Sequence, residues 1–256
     1  MNTELSLYGD IGDSWWGDGI TAVDVRNNLR ELDQNAPMHY IRINSMGGDV
    51  GEGLTIMNLL RAHAAAQRLT NPEFKLRTIV DGYAMSSASV IFMAGDERHI
   101  ALGGVVMIHD AWSYTGGNAT EMRKTADTLD KLSENAADIY ATLCVPAEKS
   151  AAARDAAYYR NLMKAETYMT GDEAVSMGLA TSVDKGIEAV LYTNFTPETM
   201  KGRDDKGHSK YVAAMTTKRN HIYNTPRNTK AYLNHKEAMK LLNLTAIELG
   251  TQLTSK

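Results

Sequence analysis

Three short stretches of this 256-residue chain hold residue types that do chemistry, and each follows an apolar run. The first is INSMGGDVGEG, Ile43 to Gly53. Adjacent glycines behind a β-rich run let backbone N–H groups approach a ligand closely. A plain tight turn would use them equally well. No Lys-Ser/Thr follows at the Walker spacing and no GxGxxG is present, which argues against a nucleotide-phosphate loop of either kind. The second stretch is DGYAMSSASVIFMAGD, Asp81 to Asp96. A serine where a strand turns into a helix is a nucleophile with helix N–H groups beside it as oxyanion donors. The same serines would also serve as a helix cap followed by small residues for close packing. There is no GxSxG, so the α/β-hydrolase elbow is absent. The third is VVMIHDAW, Val105 to Trp112. Its apolar residues deliver His109 to the end of a buried strand, where an imidazole is either a structural hydrogen-bonder or a general base.

The elements that must position these stretches alternate, which predicts an α/β domain. Strands are expected at Glu4 to Gly9, His39 to Ile43, Leu76 to Val80 (ending at Asp81-Gly82) and Val105 to Ile108. Ile20 to Leu32 has helical spacing, with Thr21 and Asp24 as a capping pair. A helix is expected behind the glycine loop, through Leu54 and Ala64. A long one runs from Asn118 to Leu143, with Met122, Ala126, Leu129, Leu132, Ala136 and Ile139 on one face. Another lies between Ala147 and Met163. Thr170-Gly171-Asp172-Glu173 is a capping-box sequence opening a short helix that Gly178 ends. Ile187 to Tyr192 reads as a final strand.

Composition sets the outer limits. No run reaches the roughly 18 apolar residues of a membrane span. The start, MNTELSLYGD, has no basic region followed by an apolar stretch, so no secretory signal is expected there. The single cysteine, Cys144, excludes an internal disulfide framework and a Cys-based zinc site, and the seven histidines show no HExxH spacing. The net charge of −4 argues against a dedicated nucleic-acid binder and hides a division. Residues 1–195 sum to −10 and residues 196–256 to +6. The expectation is a domain over 1–194 and a basic C-terminal extension over 195–256, partly disordered, with a terminal amphipathic helix in HKEAMKLLNLTAIELGTQL.

Taken together, in order and spacing, these motifs resemble the Clp-type serine peptidase family over about residues 5 to 192. Its INSPGG loop stands here as Asn44-Ser45-Met46-Gly47-Gly48, its nucleophile segment as Gly82-Tyr83-Ala84-Met85-Ser86 with Ala94-Gly95 after it. Its MIH motif is Met107-Ile108-His109, and its late segment is Thr170 to Val175 with Gly178-Leu179. The resemblance is nearest to the branch of phage head maturation (prohead) proteases, through Tyr8-Gly9-Asp10-Ile11-Gly12, Trp15-Trp16-Gly17-Asp18-Gly19, the serine-rich SSASVIFMAGD and Ala165 to Thr170. Trp15 and Trp16 are read as packing residues.

The resemblance implies the ClpP/crotonase-like fold of repeated ββα units. It implies Ser86 as nucleophile, His109 as general base, and the amides of Gly48 and Ser87 as the oxyanion hole. Ser87 and Ser89 compete as serines, and the motif register selects Ser86. The third member is open. The pattern is read as placing an Asp two residues past Gly178-Leu179, where this chain has Thr181. Asp184, three residues on, is the carboxylate put forward. Thr181 or a water orienting His109, a Ser-His dyad, an acid from elsewhere and a slow or inactive site stay as alternatives. No cofactor and no metal are implied. The implied partners are a polypeptide substrate, capsid or scaffold protein, and further copies in a ring, with the Asn118 to Leu143 helix making ring-to-ring contact. No nucleic acid or membrane is implied, and the expected location is the host cytoplasm and the procapsid. The rival readings are a cellular ATP-dependent Clp subunit, an inactive scaffold subunit, and an acyl-CoA hydratase or isomerase of the same fold.

Overall fold

The computed structural model describes residues 2–12, 19–144 and 154–184. Contacts divide the chain into two units, Met1–Thr193 and Asn194–Lys256. The elements run β1 (Glu4–Tyr8), α1 (Ala22–Arg30), β2 (Met38–Ser45), α2 (Val50–Thr70), β3 (Lys75–Met85), α3 (Ser87–Phe92), β4 (Glu97–Ala101), β5 (Val105–Ile108), α4 (Ala119–Leu143), α5 (Ala156–Lys164), β6 (Thr167–Thr170), α6 (Gly171–Ser176) and β7 (Ser182–Asp184). The expected strand Ile187 to Tyr192, Trp15 and Trp16, the segment from Ala147 up to Ala153, and the basic extension with its terminal helix lie outside the described residues.

The order in the sheet is β1-β2-β3-β4-β7, with β5 pairing both β3 and β6. The pairs β1–β2, β2–β3 and β3–β4 are parallel. Parallel neighbours need crossovers, and α1, α2 and α3 supply them. Thr21 and Asp24 close the capping box on α1, and the Asp49 side chain accepts from Glu52 N–H to start α2. Thr170 and Glu173 cap α6, and Gly178 ends that segment at φ 82°. The strands alternate. Leu5, Leu7, Ile41, Ile43, Leu76, Val80 and Ile100 are buried in the core.

The other sheet face carries charge. Arg42 pairs with Asp81, which also accepts from Tyr8 Oη at 2.6 Å. Arg77 donates to Glu97 at 2.8 Å, and His99 Nδ1 lies 3.3 Å from Asp184. Solvent still reaches these pairs, and ion pairs at a surface contribute about 0–1 kcal/mol each. Their effect is to make that face polar.

Two features differ from expectation, and both shape the site. First, β3 does not stop at Gly82. It continues to Met85, and its first half pairs with β4 while its second half pairs with β5. The change of partner follows a bulge. Ile43 stands opposite Val80 but Ser45 opposite Ala84, so Asn44 faces three residues. The Asn44 side-chain oxygen fills the gap and accepts from Tyr83 N–H at 3.2 Å. A Cβ on residue 82 would lie 2.6 Å from that oxygen, which is why glycine stands there. Second, β4 and β6 are strands of their own. β6 runs antiparallel to β5 and brings the segment just before α6 alongside the His109 strand.

Two buried polar clusters tie the layers. The Arg98 guanidinium, 3% exposed, donates to the carbonyls of Gly95, Gly178 and Leu179. It binds the chain after α6 to β4. At the other end His39, fully buried, stacks on His63. His39 Nε2 lies 2.9 Å from the Asp33 carbonyl, which can only accept, so that nitrogen carries the proton. His39 Nδ1 then accepts from His63 Nε2–H at 2.8 Å. A second proton on His39 would break this chain. His63 is pulled down to about 4, first by burial and then by His39.

Its folded value lies below the ordinary 6.5 of an unfolded histidine. The contribution of His63 is therefore complete above pH 6.5 and is lost as pH falls towards 4. One proton sets an upper slope of about 1.4 kcal/mol per pH unit, and partial exposure reduces it. Urea midpoints should fall over this window in wild type. His63→Gln, which can still donate to His39, should flatten the fall.

Candidate active site

The bulge in β3 determines what meets at its end. Ser86 N–H donates to Met107 O at 3.0 Å, extending the β3–β5 ladder by one bond. His109 stands two residues beyond Met107 on the neighbouring strand. Its Nε2 is 2.8 Å from Ser86 Oγ. Ser86 itself is at φ 53° and ψ −128°, a conformation that costs a non-glycine residue about 1–3 kcal/mol. It is the turn from strand into α3, and the strain lifts Oγ toward His109.

The competing serines are accounted for. Ser87 Oγ is buried, and a Cβ at Gly53 would stand 2.7 Å from Ser87 Cβ, so this side chain lies against α2. Ser89 Oγ is bonded to Ser86 O and to Tyr140 Oη. Ser86 is the serine that faces a histidine.

The glycine loop lies against this turn. A Cβ on Gly47 would lie 2.7 Å from both Met85 O and Ser86 Cβ, and 3.2 Å from Ser87 N. Gly47 and Gly48 sit at φ 97° and 147°, where other residues rarely go. On the far side, Ile11 N–H donates to Gly47 O at 2.9 Å, and Asp49 N–H donates to Ile11 O at 2.8 Å. In such a parallel bridge the middle residue turns its own N–H and C=O the opposite way. Gly48 N–H therefore points away from Ile11. Ser87 N–H lies in the first turn of α3, where helical amides have no partner within the helix. These two donors, with the Ser86–His109 pair, can hold a carbonyl oxygen as it gains charge.

The structure gives Asp184 and Thr181 other work. Asp184 sits on β7 opposite Ala101 and pairs with His99, not His109. Thr181 is bound to β4: its Oγ1 accepts from Arg98 N–H at 2.9 Å and donates to Arg98 O at 3.0 Å. Both belong to the half of the sheet beside the first part of β3, whereas His109 extends the second part. The expectation of Asp184 as the third member is corrected on this geometry.

The carboxylate that the topology brings forward is Glu166. Ile108 stands opposite Thr167 at the end of the antiparallel β5–β6 ladder, so His109 and Glu166 are the residues at which the two strands leave it. Glu166 has φ 50°, uncommon for this residue type, and its Oε1 accepts from Tyr168 Oη at 3.2 Å. Burial, then Glu166, pushes the Tyr168 phenol up to about 12, so it stays a donor. Motif spacing points to the stretch after α6 and passes over this carboxylate before it. The signal was the AETYMT segment, which reads as a strand only once it is paired with β5. Asp110, next to His109, is taken by Arg160, which also holds Asp130 at 2.9 Å.

A sequence model of the Clp protease family matches residues 18–186. The chain belongs to the Clp protease family. An ATP-dependent Clp protease proteolytic subunit from Deinococcus radiodurans is 32% identical over 157 residues, covering 59% of this chain and 68% of the relative. The chain is thus a serine-type peptidase with the Clp protease fold. Among the described residues no group of His, Cys, Asp and Glu could hold a metal ion.

The packing around the glycine loop yields a test. Gly47→Ala places a methyl into Met85 O and Ser86 Cβ. It should displace Ser86 and lower peptidase kcat by about 100-fold, with the far-ultraviolet circular dichroism spectrum retained. Wild-type turnover in Gly47→Ala would mean that the loop does not position the serine.

Proposed function

We propose that this chain is a serine endopeptidase of phage head maturation, acting on capsid or scaffold polypeptides with Ser86 as nucleophile and His109 as general base. The observation that carries the catalytic assignment is the 2.8 Å contact from His109 Nε2 to Ser86 Oγ, at a serine held in a strained turn. Nε2 accepts the Oγ proton as Oγ bonds to the scissile carbonyl carbon. The carbonyl oxygen takes the electron pair and is held by the amides of Gly48 and Ser87. His109 returns the proton to the leaving amine, which departs and leaves an acyl-Ser86. Water repeats the sequence and frees Ser86. For Nε2 to accept, Nδ1 must carry the other proton. Glu166 is the carboxylate that fixes this tautomer and offsets the imidazolium charge, in place of Asp184. No cofactor enters the scheme.

The head-maturation reading draws on the Tyr8-Gly9-Asp10-Ile11-Gly12 motif. Its Ile11 is the residue that pairs with the glycine loop, so the branch-specific segment is built into the site. On this reading the protein works in the host cytoplasm and the procapsid, and the basic extension tethers it to scaffold or capsid protein. Further copies assemble with it as a ring. The outer half of α4 suits that contact, since Met122 is 47% exposed and Ala126 is exposed beside it.

A second reading is a cellular proteolytic subunit served by an ATPase. The Deinococcus relative favours it. The charged open sheet face, with Arg42, Asp81, Arg77, Glu97, His99 and Asp184, does not favour a broad apolar docking surface there.

Co-expression with the candidate capsid protein separates the readings. Cleavage without any ATPase, abolished by Ser86→Ala and His109→Ala, supports the head protease. Cleavage only with an ATPase supports the second reading. On a peptide substrate, Glu166→Gln should lower kcat by about three to four orders of magnitude, while Asp184→Asn stays near wild type. The reverse pattern would return the acid to Asp184.

A further inference from the structure

The strained Ser86 turn needs something to hold it, and the strongest hold comes from a helix that contributes no group to the reaction. The Ser86 carbonyl accepts two hydrogen bonds, from Ser89 N–H at 2.9 Å and from Ser89 Oγ at 2.5 Å. A serine hydroxyl has one proton, and here it is given to Ser86 O. The Tyr140 hydroxyl, 2.8 Å from Ser89 Oγ, must therefore be the donor in the second link. The result is a directed chain from Tyr140 Oη–H to Ser89 Oγ, and from Ser89 Oγ–H to the carbonyl of the nucleophile. Ser89 is fully buried and Tyr140 is 2% exposed. Burial holds the Tyr140 phenol well above its ordinary value, so it keeps its proton.

The same helix face reaches the other catalytic loop. Ser133 stands seven residues before Tyr140, two helical turns, so both point the same way. Ser133 Oγ accepts from Ala111 N–H at 2.9 Å, two residues past His109, and donates to Leu129 O at 2.8 Å. Ser133 is 1% exposed. One stripe of α4 thus contacts the backbone behind the nucleophile and the backbone behind the base.

We propose that Tyr140, acting through Ser89, and Ser133 are positioning residues. Through them α4 sets the distance and angle between Ser86 and His109. The inference rests on the assignment of Ser86 and His109 as the catalytic pair. If the Tyr140 link is lost, the Ser86 carbonyl can swing, the turn relaxes, and Oγ and the Ser87 amide leave their places together. Tyr140 and Ser89 act on one atom, so their effects overlap. Ser133 acts on the other loop, so its effect is separate.

The test is the second-order rate at which a fluorophosphonate labels Ser86 in the full-length protein, with peptide kcat, KM and thermal midpoint measured on the same variants. Tyr140→Phe and Ser89→Ala should each slow labelling and lower kcat by about 10- to 100-fold, with KM little changed. The double variant should be no slower than the slower single, because the two share one link. Ser133→Ala should slow labelling further when added to Tyr140→Phe. Lys131→Gly, on the exposed opposite face of the same helix, serves as the stability control. It should lower the thermal midpoint and leave the labelling rate unchanged. Wild-type labelling in Tyr140→Phe overturns the proposal. So does equal slowing in Lys131→Gly, or fully multiplicative effects of Tyr140→Phe and Ser89→Ala. Failure of the underlying assignment looks different: the wild-type protein would be labelled no faster than Ser86→Ala.

Discussion

The change of partner along β3 is the constraint on which the rest depends. One strand pairs with β4 in its first half and β5 in its second, and the switch follows the place where Asn44 opposes three residues. A strand that kept one partner would end its ladder at Val80 opposite Ile100. The switch carries β3 five residues further and delivers Ser86 to the level of β5, where His109 follows. Asn44 supplies the missing hydrogen bond and Gly82 supplies the space. Neither takes part in the contact between Ser86 and His109, yet that contact exists because of them.

Around that strand the molecule uses two kinds of fastening. The core is apolar and lies on one side of the sheet, with Ile41, Leu76 and Ile100 fully buried. Burial of such side chains contributes roughly 1.5–3 kcal/mol each. It sets the layers but not sub-ångström distances. Those come from directional bonds: Arg98 on three carbonyls, His39 between Asp33 and His63, and Ser89 between Ser86 and Tyr140. Directional bonds fix an angle as well as a distance, which matters where a proton must pass between two side chains.

Much of this was legible in the sequence because local rules governed it. The Thr21/Asp24 and Thr170/Glu173 caps, the 25-residue α4 and the Val105–Ile108 strand follow from spacing alone. That Ser86 and His109 come together was legible from their motifs. What escaped depended on pairing between distant segments. β3 was expected to stop at Gly82, because glycine usually ends a strand and the Asn44 side chain that rescues it lies 38 residues earlier. β6 was missed because TYMT is too short to show a period, and Glu166 was missed with it. Thr181 and Asp184 looked closer to the chemistry than they are. Motif spacing locates residues along the chain, whereas the β5–β6 ladder decides which carboxylate leaves the sheet beside the His109 strand.

The close contacts at Gly47, Gly48, Gly53 and Gly82 have a consequence of a different kind. At each of these positions a methyl group would come within 3 Å of backbone or of a side chain fixed in the site. At Gly47 and Gly48 main chain is laid on main chain, and at Gly53 and Gly82 the neighbour is the Ser87 Cβ or the Asn44 amide, each held by its own contacts in the site. Such an arrangement is stiff, since there is little in it to move. It is also unforgiving, since one added carbon at any of four places displaces the nucleophile turn or its frame. The signature of this site is a set of vacancies at fixed separations from one serine. A distant relative could exchange every charged residue on the open sheet face and still be recognised by where it keeps nothing at all.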